Sequence, residues 1–130
     1  MAFYAPYTDM RKKLTRPVIV DTIVEGIQNK KGHKTVIVDL RRLTEAPCEF
    51  FVIAEGNSNT QVAAIVDEVE DFVRKQTREK PMAIDGMDNA EWVAMDYGTV
   101  IVHIFQREPR AFYDIEHLWE DAEITEIEEA

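Results

Sequence analysis

Several side chains of this chain could bind a metal ion, but their spacing does not group them. His33, His103 and His117 lie far apart, whereas a helical zinc site typically places two imidazoles four residues apart. Asp85 and Asp88 could bind a cation, yet aspartate and glycine are also the usual residues of a turn. We therefore predict no metal site and no cofactor, and we expect His103, inside an apolar run, to be packed and hydrogen-bonded.

A second candidate for chemistry is Gly56-Asn57-Ser58, which lies between a predicted strand and a predicted helix. Backbone amides at such a junction can hold an anion, and nucleotidyltransferases place a Gly-Ser pair there, followed by aspartates that bind metal. The next strand is followed by Asp85 instead of the paired carboxylates that would hold magnesium. We predict a turn for Gly56 and a helix-capping box for Ser58 with Gln61.

Catalysis is not favoured by the remaining residues. Ser58 is the only serine, and no general base can be identified for it. We predict that the protein is not an enzyme. A residual nucleotidyltransferase that uses Gly56, Ser58 and Asp85 is kept as the alternative.

Large aromatic side chains concentrate in the last third of the chain: Trp92, Tyr97, Phe105, Phe112, Tyr113 and Trp119. Phe105 and Phe112 are predicted to belong to the core. In an alternating strand, Trp92 shares a face with Ala94 and Asp96, while neighbouring apolar residues occupy the opposite face. A tryptophan among small and acidic residues is typical of an interface anchor, although helices could instead cover it.

The pattern of apolar residues predicts a single α/β domain. Helices are expected from near Thr15 to just before Gly32, from Ser58 onwards, and over 112–120; strands are expected over 35–40, 50–54, 82–84, 91–95 and 99–105. A helix links two of the strands and a tight turn links the last two, so the sheet should be mixed, with about five strands flanked by helices. We divide the chain into a flexible N-terminal arm (1–15), the domain itself (16–122) and a solvated acidic tail (123–130).

Composition limits the cellular compartment and the kinds of partner that we expect for this protein. The 130 residues are 45% hydrophobic, which suits one core, and no apolar run is long enough to cross a bilayer. Cys48 is the only cysteine and the start of the chain lacks the pattern of a secretory signal, so a reducing cytoplasm is expected. The formal net charge of −10 repels phosphate backbones and attracts basic proteins, unless it serves only solubility.

Taken together, several segments resemble the ribosomal silencing factors, also called Iojap-like proteins. The resemblance covers roughly residues 17–122. The matching segments are 51–58 with Gln61, 91–93, 95–98, 100–105, Arg110, 112–116 and 118–119. The chain departs from the family at Asn57 and Asn59, and at Thr99, where the family carries an acidic residue.

The resemblance implies a nucleotidyltransferase-like fold without catalytic residues. It also implies binding to large-subunit ribosomal protein fourteen, which blocks joining of the small subunit and represses translation; some members are ascribed a role in large-subunit assembly. No direct sequence-specific binding to nucleic acid and no membrane partner are expected, and homodimer formation is left open. A dimeric adaptor without a ribosomal role is a further alternative.

Two sets of site residues follow from the aromatic pattern and the resemblance. The predicted partner contacts are Trp92, Met95, Asp96 and Tyr97. The predicted structural or secondary contacts are Gly56, Ser58, Gln61, Gly98, His103, Arg110, Tyr113, Asp114, Glu116 and Trp119. Within the second set, Arg110, Asp114 and Glu116 are expected to form a charge network near the last helix.

Overall fold

The structure, a computed structural model, describes residues 16–129, so the predicted arm at 1–15 lies outside the described residues. The elements in chain order are α1 (Val18–Asn29), β1 (His33–Asp39), β2 (Phe50–Gly56), α2 (Asn59–Thr77), β3 (Ala83–Asp85), β4 (Trp92–Asp96), β5 (Val100–Gln106), α3 (Arg107–Tyr113), a short 3-10 turn (Ile115–His117) and β6 (Glu123–Glu126). None of the described helices is both long and apolar enough to span a bilayer.

The strands form one mixed sheet, as predicted. Within the described residues the sheet has six strands, in the order β3-β4-β5-β2-β1-β6. The central pair β2 and β5 is parallel, and every other neighbouring pair is antiparallel. The sheet therefore has one strand more than the sequence indicated.

The additional strand is β6, which pairs antiparallel with β1 along the edge of the sheet. The prediction of a solvated tail is therefore wrong for Glu123–Glu126, although all four side chains are exposed. The following residues stay attached, because the Ile127 amide donates to the Thr35 carbonyl at 2.9 Å. An edge strand with only exposed side chains carries no alternating apolar signal, so the sequence pattern could not identify it.

Helices α1 and α2 cover one face of the sheet. Ile23 and Ile27, four residues apart and so on one side of α1, are fully buried. The two helices approach closely at Gly26, where an added Cβ would lie 3.3 Å from the Cα of Val69. Helix α1 begins after Pro17 instead of near Thr15.

The opposite face of the sheet is covered only in part, by α3, the residues that follow it and the loop between β1 and β2. The predicted helix over 112–120 is wrong in position, since α3 ends at Tyr113 and Asp114 adopts a left-handed conformation (φ 46°). Pro109 lies in the first turn of α3. Proline is tolerated there because the amides of a first turn have no partner within the helix.

Candidate functional site

The side chains of strand β4 alternate between the two faces of the sheet. Val93 and Met95 are fully buried beneath the helices, while Trp92, Ala94 and Asp96 are partly exposed on the other face. The predicted alternation is confirmed. The expectation that Met95 contacts a partner is wrong, because its side chain has no exposed surface.

Tyr97 is also buried, with 7% of its surface exposed, and belongs to the core beneath the helices. Its hydroxyl is enclosed without a hydrogen-bond partner, and burial raises the pKa of Tyr97 above its usual value. A direct contact between Tyr97 and a partner is therefore excluded in this conformation. The turn after β4 directs the side chain inward, and a turn residue has no periodic pattern from which its direction could be predicted.

The remaining two predicted contacts, Trp92 and Asp96, do lie on the partly open face. Asp96 is held at the hairpin turn, where its Oδ1 accepts a hydrogen bond from the Gly98 amide at 2.8 Å. Gly98 has a φ of 87°, which explains why glycine is favoured there. Thus Asp96 shapes the turn and remains a partly exposed residue.

Trp92 is held by three neighbours. Its indole ring stacks on Phe105 with centroids 4.9 Å apart and lies 5.0 Å from the ring of Tyr113. The indole Nε1 donates a hydrogen bond to Nδ1 of His103 at 3.0 Å. The tryptophan therefore combines a fixed ring with a partly exposed surface, which is the usual character of an interface anchor.

His103 is packed and hydrogen-bonded, as the sequence predicted. It is 7% exposed, and burial lowers its pKa to about 4. Its ring lies edge-on to Phe51, with centroids 4.6 Å apart. Because Nδ1 accepts from Trp92, the imidazole is neutral at physiological pH and carries its proton on Nε2.

Further exposed apolar side chains lie at the end of α3 and just after the 3-10 turn. Phe112 is 81% exposed and Leu118 is 61% exposed, while Tyr113 is about half exposed. The prediction that Phe112 belongs to the core is therefore wrong, and Leu118 was not singled out from the sequence. Trp119 instead packs inward, with its ring 5.4 Å from that of Phe51, and so has the supporting role predicted.

We use the term open aromatic face for Trp92, Ala94, Asp96, Phe112, Tyr113 and Leu118. Strand β3 adds a carboxylate to this face, because Asp85 is paired with Ala94 and is exposed. The carboxylates of Asp85 and Asp96 therefore share a face with the indole of Trp92, an arrangement suited to contact with a basic surface.

The predicted charge network is confirmed for Arg110 and Glu116. Arg110, 7% exposed, donates to both carboxylate oxygens of Glu116 at 3.0 and 2.9 Å. It also donates to Glu55 at 3.1 Å and to the Lys34 carbonyl at 2.7 Å. Asp114 does not join this network; it pairs with His117 at 2.6 Å, and that hydrogen bond raises the pKa of His117.

The turn-and-cap interpretation of the loop after β2 is also confirmed. Ser58 Oγ accepts from the Gln61 amide at 3.1 Å, and Gln61 Oε1 accepts from the Asn57 amide at 2.6 Å. A Cβ at Gly56 would lie 3.0 Å from the amide nitrogen of Val62, so the site favours glycine.

The residues of the nucleotidyltransferase alternative are not brought together. Strands β4 and β5 lie between β2, which carries Gly56, and β3, which carries Asp85. At about 4.8 Å per strand, β2 and β3 are roughly 14 Å apart. Within residues 16–129 no three His, Cys, Asp or Glu side chains are grouped to hold a metal ion.

The fold and the site define an α/β domain with a helix-covered face and a partly open aromatic face. Residues 13–130 match the family model described as ribosomal silencing factor during starvation. The chain therefore belongs to the ribosomal silencing factor family.

Relatives in other organisms agree with this assignment. A protein of Halalkalibacterium halodurans named ribosomal silencing factor RsfS is 34% identical over 110 residues, covering 85% of this chain and 92% of the relative. The protein of that name from Bacillus subtilis is 32% identical, with the same shares covered. A mouse protein named mitochondrial assembly of ribosomal large subunit protein 1 is 32% identical over 105 residues, covering 77% of this chain and 44% of the mouse protein.

Two solved structures share the fold. A protein from Chromobacterium violaceum superposes with a TM-score of 0.73 at 29% identity, covering 86% of this chain and 92% of its own. A protein from Bacillus halodurans gives a TM-score of 0.69 at 30% identity, covering 85% and 96%.

Proposed function

We propose that this protein binds the large ribosomal subunit through ribosomal protein fourteen and blocks joining of the small subunit. The observation that carries the proposal is the open aromatic face, where Trp92 is fixed by its neighbours and Phe112 projects into solvent. Membership of the silencing factor family makes the large subunit the expected partner.

Charge supports a protein contact in preference to bare RNA. Asp85 and Asp96 lie on the same face of the sheet as Trp92, and the whole chain carries a net charge of −10. Such a field accelerates encounter with a basic protein and disfavours phosphate backbones. The carboxylates would pair with Lys or Arg side chains of the ribosomal protein.

The proposed mechanism needs no catalytic step. A domain seated on the surface where the two subunits meet excludes the small subunit by occupying its place. The same proposal puts the protein in the cytoplasm, where ribosomes work. A homodimer, which the sequence left open, is not required for this mechanism, since one open aromatic face is enough for one contact.

Subunit association followed by light scattering tests the proposed block. Purified protein in excess should prevent small and large subunits from pairing, and unchanged pairing would refute it. Replacing both Trp92 and Tyr113 with Ala should abolish the effect, because losing a central aromatic side chain typically costs about 2 kcal/mol or more, a loss of affinity of about thirtyfold. Val18→Ala is the matched control, because Val18 is a 74% exposed apolar residue on the opposite layer.

Ribosomal protein fourteen is tested as the partner by measuring binding to that purified protein alone. Retention of affinity for large subunits without affinity for ribosomal protein fourteen would show that another component of the large subunit makes the contact.

A contribution to large-subunit assembly is a second proposed role, supported by the name of the mouse relative. Accumulation of incomplete large subunits in cells that lack this protein would support that role, and a normal subunit profile would count against it.

A further inference from the structure

His103 and Trp92 are joined across two antiparallel strands. Trp92 is paired with Phe105, and His103 is paired with Ala94, so the two side chains are diagonal neighbours on one face. The hydrogen bond from the indole Nε1 to the imidazole Nδ1 spans 3.0 Å. His103 is nearly inaccessible, whereas Trp92 retains an exposed surface.

Packing alone does not explain an imidazole at this position. The neighbouring positions on this face of β5 are the apolar residues Ile101 and Phe105. Nε2 of His103 is buried without a hydrogen-bond partner, and burying an unpaired N–H is costly. A phenylalanine would fill a similar volume without that cost. Unlike phenylalanine, the histidine supplies an acceptor for the indole N–H of Trp92.

Stacking does not by itself determine the orientation of Trp92. The rings of Phe105 and Tyr113 limit the tilt of the indole, but apolar rings do not distinguish its nitrogen edge from its carbon edge. A hydrogen bond to Nε1 does distinguish them, because only one orientation brings Nε1 to the acceptor. It therefore determines which edge of the indole faces solvent.

We propose that His103 is a positioning residue for the open aromatic face, and that its Nδ1 fixes the indole of Trp92 in one orientation before a partner binds. The inference rests on the proposed function, since it assigns Trp92 the central contact. Fixing an anchor in advance raises affinity because less conformational freedom is lost on binding. His103 thus acts through Trp92 and touches no partner itself.

Two substitutions separate positioning from packing. His103→Asn retains an acceptor close to the position of Nδ1 but loses ring volume, and His103→Phe retains a ring but lacks the acceptor. If His103 only packs, the Phe variant should behave as wild type and the Asn variant should be impaired. If His103 positions Trp92, the order is reversed.

The indole N–H resonance of Trp92 reports the hydrogen bond directly by NMR. The chain has two tryptophans, and Trp119→Phe identifies the second resonance. We expect hydrogen exchange at Nε1 of Trp92 to be roughly fivefold faster in His103→Phe, and binding to purified large subunits to weaken by a similar factor. His103→Asn should stay within about twofold of wild type in both measurements.

A measurement on the unmodified protein covers the case in which a variant does not fold. An N–H···N hydrogen bond transmits a scalar coupling between the two nitrogens, here Nε1 of Trp92 and Nδ1 of His103. Detection of that coupling, together with a proton on Nε2, supports the proposal. A proton on Nδ1 overturns it.

The binding outcomes distinguish this inference from the proposed function. If Trp92→Ala weakens binding to large subunits while His103→Phe changes only the resonance, the positioning role is refuted and the docking surface stands. If the wild-type protein does not bind large subunits, the proposed function fails. The coupling then still decides whether His103 fixes the indole.

Discussion

Arg110 on α3 and Glu55 on β2 form a buried ion pair, with Nη1 and Oε2 separated by 3.1 Å. The Arg110 side chain is 8% exposed and that of Glu55 is 12% exposed. Because the same guanidinium also binds Glu116, it fastens both α3 and the following 3-10 turn to the sheet. These two segments carry Phe112 and Tyr113 and precede Leu118, so the ion pair positions most of the exposed apolar part of the open aromatic face.

Replacing Arg110 with Ala should lower the free energy of unfolding by about 3–5 kcal/mol, because Glu55 and Glu116 would remain buried without a cation. Chemical denaturation monitored by circular dichroism measures the loss. Arg107→Ala is the control, since Arg107 is an exposed arginine on the same helix. Equal stability of the two variants would show that the buried network contributes little.

Stability should fall in mild acid because of His103. Its pKa is about 4 in the folded protein, whereas an unfolded histidine has a pKa near 6.5. As the pH falls below 6.5, the unfolded state binds a proton that the folded state does not, so stability is lost down to about pH 4. The shift of the pKa corresponds to a loss of about 3 kcal/mol. The difference in unfolding free energy between wild type and His103→Asn should therefore shift by about that amount between pH 7 and pH 4. If the difference in unfolding free energy between the two proteins did not depend on pH, the lowered pKa of His103 would be contradicted.

Tyr97→Phe should leave the protein as stable as wild type or more stable by about 1 kcal/mol, because the buried hydroxyl has no hydrogen-bond partner. Binding to large subunits should be unchanged, since Tyr97 is buried and its hydroxyl is enclosed. Thermal unfolding and co-sedimentation with large subunits provide the two measurements. Loss of binding in a fully stable Tyr97→Phe variant would show that the Tyr97 hydroxyl contributes to the contact with the partner.

Two glycines near β4 should respond differently to alanine. At Gly98 the added Cβ meets only the end of the Met82 side chain at 3.5 Å, so the positive φ of 87° should cost about 1–2 kcal/mol. At Gly86, with a φ of 101°, the added Cβ would lie 2.1 Å from the Trp92 carbonyl oxygen. Gly86→Ala should therefore be the more destabilising change and should also disturb Trp92. Denaturant titration of the two variants compares them, and equal losses would contradict the expected backbone clash.

Local patterns predicted the features that neighbouring residues determine among themselves. The alternation of Trp92, Val93 and Ala94 assigned each side chain to its face, and the spacing of Ser58 and Gln61 predicted the cap that begins α2. Side chains alternate between two faces in any strand, and the first amides of any helix need a hydrogen-bond acceptor, wherever the element lies in a fold. Such features can be recognised in a single sequence.

Features that depend on distant parts of the chain were predicted less well. Strand β6 exists because the edge of β1 is available, and none of its side chains is buried to mark it. Phe112 is exposed because α3 begins directly after β5, several residues before the predicted start.

The sequence by itself determined the mixed sheet, the apolar stripe of α1 and a cluster of aromatic residues near the end of the chain. The tertiary structure alone decided which aromatic residues face solvent, burying Tyr97 and exposing Phe112. It also brought Nδ1 of His103 to the indole of Trp92. The physical reason is that burial and hydrogen bonding between strands depend on how separate segments pack together, whereas periodicity describes only the segment in which it occurs.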